Sequence, residues 1–241
     1  MLKKSLEASP ADAATRSSLA EALWHRGARQ EALAEMEQAI ELDKDNAVLA
    51  ARAGEMSLAS GSTADALAHA EQAIRCDSKL ASAWALRGRC FLQMHQPDKA
   101  LLDLQHALDF GPDNADVLYE VAAIYRQRGL SARSLTTVHH LLDTYSPGEE
   151  PQNALTLEGL ALLDLGRPQQ AAEALATAAR RGTPNADLLY HLAQAYSASG
   201  QFAQAATTAQ EAVALNGSHE PSRQLLIDLA THSGPGETIR R

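Results

Sequence analysis

The chain has 241 residues, 45% of them hydrophobic but only 4% aromatic, and carries a formal net charge of −9. A compact domain of this length would have a thin core with so few rings, whereas stacked layers that bury only their neighbours can rely on alanine. The acidic balance argues against nucleic-acid binding, which needs a basic face.

Taken in order, residues 5–12 align one period before residues 39–46: Leu6 with Ile40, Glu7 with Glu41, and Pro10 in the loop slot. The chain therefore starts inside a repeat. Two readings stand for 1–12: a partial repeat serving as an N-terminal lid helix, or the edge of a piece cut from a longer protein. The first segment, MLKKSLEASPAD, has a basic start but no apolar stretch of the signal-peptide kind. No apolar run approaches the ~18 residues of a membrane span. The expected location is cytoplasmic, with a periplasmic or membrane-anchored location as the alternative for a truncated chain.

From residue 13 a fixed step organises the sequence. Ala20, Gly54, Gly88 and Ala122 are separated by 34 residues, and Gly159 and Ala193 follow after a slip of three. A second series runs Ala32, Ala66, Ala100, Ser134, Ala171 and Ala205. A third runs Ala39, Ala73, Ala107, Leu141, Ala178 and Ala212. Small side chains recur where two helix backbones cross closely. Turn glycines fall in phase at Gly27, Gly61, Gly129, Gly166 and Gly200, with His95 as the exception. Larger residues fill Leu23, Phe91, Tyr125, Leu162 and Tyr196, broken by Ser57.

The segment 81–114 displays the unit best. Trp84, Leu86, Gly88, Phe91 and Leu92 mark one helix, and Ala100, Leu101, Leu104, Ala107 and Leu108 mark a second before Gly111-Pro112. This pattern resembles the tetratricopeptide repeat family, with Trp84, Gly88, Phe91, Ala100, Ala107 and Pro112 in place. The resemblance implies an all-α, right-handed superhelical solenoid of about six helix–turn–helix repeats. Their expected bounds are 13–46, 47–80, 81–114, 115–148, 152–185 and 186–219. Asp45-Asn46 and Asn114 are candidate N-caps. The stretch TYSPGEEPQN reads as a longer surface loop, with a hinge over 145–153 as the alternative. Residues 220–232 read as a capping helix: Ile227 takes the small-residue slot, Leu225, Leu226 and Leu229 cover the last repeat, and Arg223, Gln224 and Asp228 face water. A disordered tail is expected over 233–241.

The sequence carries no catalytic motif of phosphate-loop, nucleophile-elbow or zincin type. Cys76 and Cys90 form no C-x-x-C and read as small apolar fillers in a reducing compartment, with a redox pair as the alternative. Adjacent His139 and His140 point about 100° apart on a helix, poor geometry for one metal. The expectation is a non-enzyme without cofactor.

In the family that the chain resembles, ligands lie in a concave groove lined by the first helix of each repeat. Carried over residue by residue, that face holds Glu21, Arg52, Glu55 and Arg89, then Tyr119, Glu120 and Arg126. It continues with Thr156, Leu157 and Leu160, then Tyr190, His191 and Gln194. Arg52, Arg89 and Arg126 step by 37 residues. They read either as a solvated mixed-charge face, balanced by Glu55 and Glu120, or as a clamp for partner carboxylates. Tyr119, Leu157, Leu160 and Tyr190 offer seats for aromatic or aliphatic anchors, or serve packing. The expected function is a protein-interaction scaffold, monomeric or weakly dimeric. The alternative is the non-catalytic repeat domain of a larger enzyme or of a secretion, pilus or assembly machine.

Overall fold

The computed structural model describes residues 12–232, and among these every regular element is an α-helix. They are α1 (Ala13–His25), α2 (Arg29–Leu42), α3 (Ala47–Ala59), α4 (Thr63–Cys76), α5 (Ala81–Gln93), α6 (Pro97–Phe110), α7 (Ala115–Gln127), α8 (Ser131–Asp143), α9 (Gln152–Asp164), α10 (Pro168–Arg181), α11 (Ala186–Ala198), α12 (Phe202–Leu215) and α13 (Glu220–His232). The lid helix expected over 1–12 and the tail expected over 233–241 lie outside the described residues, apart from Asp12, which caps α1.

The fold divides into two compact units between Val117 and Leu118. In the first, α1 pairs with α2, α3 with α4 and α5 with α6, and the hairpins stack through α2 on α3 and α4 on α5. In the second, α9 pairs with α10 and α11 with α12; α8 packs on α9, α10 on α11, and α13 on α11 and α12.

Each hairpin turn is closed by the same pair of conditions. The residue three places after the helix donates back to the large-residue position: Ala28 to the Leu23 carbonyl at 3.0 Å, Ser62 to Ser57 at 2.9 Å, Gln96 to Phe91 at 2.8 Å. The second unit repeats this with Leu130 to Tyr125, Arg167 to Leu162 and Gln201 to Tyr196. That bond forms only if the residue just before the donor is left-handed. His95, the sequence exception, obeys the rule with φ 56°. A side chain in that conformation costs about 1 kcal/mol relative to glycine.

The small-residue series lie where helices cross. Ala20, Ala122 and Ala193 are fully buried, as are all six members of the series from Ala32 to Ala205. Ser134 belongs to that series, and its hydroxyl donates to the Ala122 carbonyl at 2.8 Å, joining α8 to α7. A polar residue is tolerated at the crossing because its hydrogen bond is made. At Gly159 an added Cβ would sit 2.4 Å from Leu175 Cγ of α10, closer than any real contact.

Asn46 and Asn114 cap the helices after them, accepting the Leu49 and Val117 amides at 3.2 Å; Asn185 does the same for Leu188 at 2.8 Å. Asn46, rather than Asp45, is the cap of α3. The loop after α8 turns at Gly148, whose amide donates to the Glu150 carboxylate at 3.0 Å, while Arg181 pairs with Glu150 at 2.9 Å. In α13, Leu229 is buried, Leu225 and Leu226 are half-buried, and Arg223, Gln224 and Asp228 are exposed. Ile227 is 58% exposed, because no second helix crosses that slot among the described residues.

Two substitutions test these constraints. Replacing His95 by glycine should raise stability by about 1 kcal/mol in urea unfolding; a loss would mean that the imidazole contributes a compensating contact. Gly159→Ala should destabilise by about 1–3 kcal/mol. Combined with Leu175→Ala it should cost less than the sum of the two single changes, because the clash partner is gone. Strict additivity would show that the crossing is not where the strain arises.

Candidate functional site

The first helices of the second unit carry an open cleft. Its volume is about 310 Å³. Tyr119 of α7 lines it with Gln152, Asn153, Thr156, Leu157 and Leu160 of α9, and with Asn185, Asp187, Leu188 and His191 at the start of α11. The floor is apolar for a packing reason. Leu157 is buried against Ala122 and Val138, and Leu188 against Leu192 and Leu155.

The polar wall is less settled. Thr156 donates its hydroxyl to the Gln152 carbonyl at 2.6 Å, one turn back, so it offers the cleft mostly its methyl group. Asn185 is spent on its cap. Asp187 lies 2.9 Å from the Nε2 of His219. The Nε2 of Gln152 and the Nδ1 of His191, in contrast, are buried with no hydrogen-bond partner among the described residues. Burial pushes the His191 pKa down; a hydrogen bond with Gln194 pulls it up, Arg126 pushes it further down, and Asp187 and Asp164 pull it up.

The expected groove residues fall into two groups. Tyr119, Thr156, Leu157, Leu160 and His191 come together in this cleft. Tyr190 lies beside it, with its ring 5.2 Å from that of His191 and 5.7 Å from that of His219, and Gln194 bonds to His191. The arginines behave differently. Arg126 places Nε 2.8 Å from Asp164 of α9. In the first unit Arg52 pairs with Glu21. Glu55 keeps much of its surface, yet its carboxyl sits low enough that lost hydration raises its pKa against the pull of Arg89 and Arg52. A partner carboxylate at Arg52 or Arg126 would have to displace a carboxylate already present. Glu120 is half-buried on α7.

Gln152, Asn153, Asn185, Asp187 and Leu188 were not expected in the site. The signal was present as spacing: Gln152 and Asn153 lie one helical turn before Thr156 and Leu157, and Asp187 and Leu188 one turn before His191.

The chain's possible reactive groups lie elsewhere. Burial raises the Cys90 thiol to about 11. Ser222, His219 and Asp187 form a hydrogen-bonded row, with 2.7 Å between Ser222 Oγ and His219 Nδ1, but Ser222 is fully buried and the contact caps α13. Among the described residues no group of three or more His, Cys, Asp or Glu is placed to hold a metal ion. No described helix is long and apolar enough to cross a membrane.

Comparison with known proteins then supplies a context. The tetratricopeptide repeat family description matches residues 156–220. A search of curated proteins finds no match. Among solved structures, YrrB, described as a tetratricopeptide protein with an unusual peptide-binding site, superposes with a TM-score of 0.70 at 19% identity, over 78% of this chain and 96% of its own. The pilF protein of Pseudomonas aeruginosa gives 0.78 at 15% identity, over 90% and 97%. PilW, described as a widely conserved type IV pilus biogenesis factor, gives 0.73 at 15%, over 89% and 98%. At these identities the likeness is one of fold.

The state of His191 is open to measurement. Its pKa in the folded chain lies below the ordinary value of 6.5. Above about 6.5 the ring is neutral in both folded and unfolded chains; as the pH falls through that value the unfolded chain takes up the proton first. Stability held at neutral pH is therefore lost as the pH falls from there through the folded-state value. The ring Cε1 proton of His191 should titrate below 6.5 by NMR, and His191→Gln should flatten this part of the acid slope. A midpoint at or above 6.5 would overturn the assignment.

Proposed function

We propose that the chain, which has the fold of tetratricopeptide repeat proteins and matches that family over residues 156–220, is a non-catalytic interaction scaffold whose second unit holds a peptide segment of a partner protein. The carrying observation is the cleft of α7, α9 and α11, where leucine side chains form the floor of an opening about 310 Å³ in volume. An aliphatic or aromatic anchor that leaves water for such a floor gains about 1.5–3 kcal/mol, or roughly ten- to a hundred-fold in affinity. The fold likeness to YrrB, itself a peptide binder, supports the reading. A reducing, cytoplasmic location belongs to the same proposal and rests on the unpaired Cys76 and Cys90.

A second reading makes the chain a component of a larger assembly. It is favoured by one observation: the likeness extends over 98% of PilW, described as a type IV pilus biogenesis factor, and over 97% of pilF. The two readings are compatible, because an assembly component also needs a surface that holds its neighbour.

The test is quantitative capture from the source organism. Leu160→Glu and Tyr119→Ala should each reduce recovery of a specific partner about ten-fold or more, with unchanged far-UV circular dichroism. Leu102→Glu, at a residue of the first unit that is 61% exposed, should leave recovery as it is. Equal recovery by all three variants and the parent would place binding elsewhere.

A further inference from the structure

We propose that the cleft of the second unit reads a neutral amide next to an aliphatic side chain, as an extended peptide backbone presents them, with Gln152 donating and His191 accepting. This deepens the peptide-holding reading above and rests on it.

Gln152 and His191 both line the cleft, one on α9 and the other on α11. Gln152 Nε2 and His191 Nδ1 are buried and lack hydrogen-bond partners among the described residues. Buried polar atoms are nearly always paired, and each one left unpaired costs about 1–3 kcal/mol. Two such atoms on residues that line one opening are a reserve of binding free energy for a ligand that satisfies both once the side chains turn.

Their chemistry names that ligand. An amide nitrogen can only donate. The His191 ring interacts with the side-chain amide of Gln194, and the ring is assigned as the donor to that amide's oxygen. With Nδ1 unpaired, that bond uses Nε2–H, and in the neutral ring Nδ1 keeps its lone pair. A carboxylate only accepts and an ammonium group only donates, so neither answers both atoms. A neutral amide offers a carbonyl to Gln152 and an N–H to His191. Leu157, Leu160 and Leu188 take the side chain next to it. A carboxylate would also meet the lone pair of His191 and the nearby Asp187. As the side chains stand neither atom reaches water, so Gln152 and His191 turn about their outer torsions to meet the ligand.

The test uses the full chain and two probes that differ in one group: N-acetyl-leucine-N′-methylamide and sodium N-acetyl-leucinate. Methyl and side-chain amide NMR signals report binding. The methylamide should shift the Leu157 and Leu160 methyls and the Gln152 amide, and bind about ten-fold more tightly than the leucinate. Gln152→Glu and His191→Phe should each weaken the methylamide by about five- to ten-fold, whereas His191→Asn, which keeps an acceptor, should retain most of the affinity. Gln152→Leu replaces Gln152→Glu if the acidic variant does not fold, and should weaken the methylamide similarly. Wild-type affinity should fall as the pH is lowered through the His191 midpoint read by NMR, below which a protonated Nδ1 stops accepting, and the His191→Asn variant should be flat over the same range. The charged and polar groups facing His191 are Arg126 of α7, Asp164 of α9, and Asp187 and Gln194 of α11.

Leucinate binding as tight as the methylamide would overturn the amide reading. So would cleft shifts with unaltered affinities in both the Gln152 and His191 variants, which would leave the apolar cleft standing. Absence of shifts at Leu157 and Leu160 with either probe would remove both this inference and the peptide-holding role of the cleft.

Discussion

Two backbones cross at short range inside each hairpin, and the remaining features of the fold depend on that crossing. At Gly159 the room taken by Leu175 leaves no space for one more carbon. At Gly88 an added Cβ would lie 2.9 Å from Leu104 Cγ, and at Gly54 2.4 Å from a methyl of Leu86, which belongs to the next hairpin. The alanines of the same series are fully buried. Alanine and glycine supply little area per residue, so stability comes from many close backbone contacts, repeated layer by layer, and not from large side chains. The crossing also fixes the rotation of each first helix about its axis. That rotation decides which residues of α9 and α11 face the cleft.

A second regularity ties neighbouring layers. Arg52 reaches Glu21, His69 reaches Glu37 at 2.9 Å, Arg181 reaches Glu150 and His219 reaches Asp187, each across about one repeat of sequence. Most of these pairs retain solvent contact, so each contributes little to stability. They hold adjacent layers in register, and they also occupy the charges that sequence spacing had offered as ligand contacts. Arg126 is the clearest example, because its guanidinium is held by Asp164 on the next first helix of its own unit. What is left for a ligand in the second unit is an apolar floor and a few neutral polar atoms.

Much of this was legible without coordinates. The series of small residues read directly as crossings, because a steric limit on side-chain size acts at one position and needs no knowledge of its neighbour. Asn46 and Asn114 were legible as caps for a similar local reason. His95 and Ser134 differ in type from the other members of their series, yet each meets the requirement of its position. The turn demands a left-handed backbone, which histidine can adopt at some energetic cost, and the crossing demands a small residue whose polar atom is paired. In both cases the constraint is physical and the residue type only its commonest solution.

The order of the hairpins and the phase of their close contacts followed from the chain's periodicity, since periodicity and side-chain volume are local properties, whereas the helical face bearing Leu157, Leu160 and His191 came from the resemblance to tetratricopeptide repeats. The pairing of Arg126 with Asp164, the two unpartnered atoms on Gln152 and His191, and the extension of the cleft to the first turns of α9 and α11 did not. These depend on how far apart neighbouring first helices stand and how each is turned, distances that many residues set together and that no single position records.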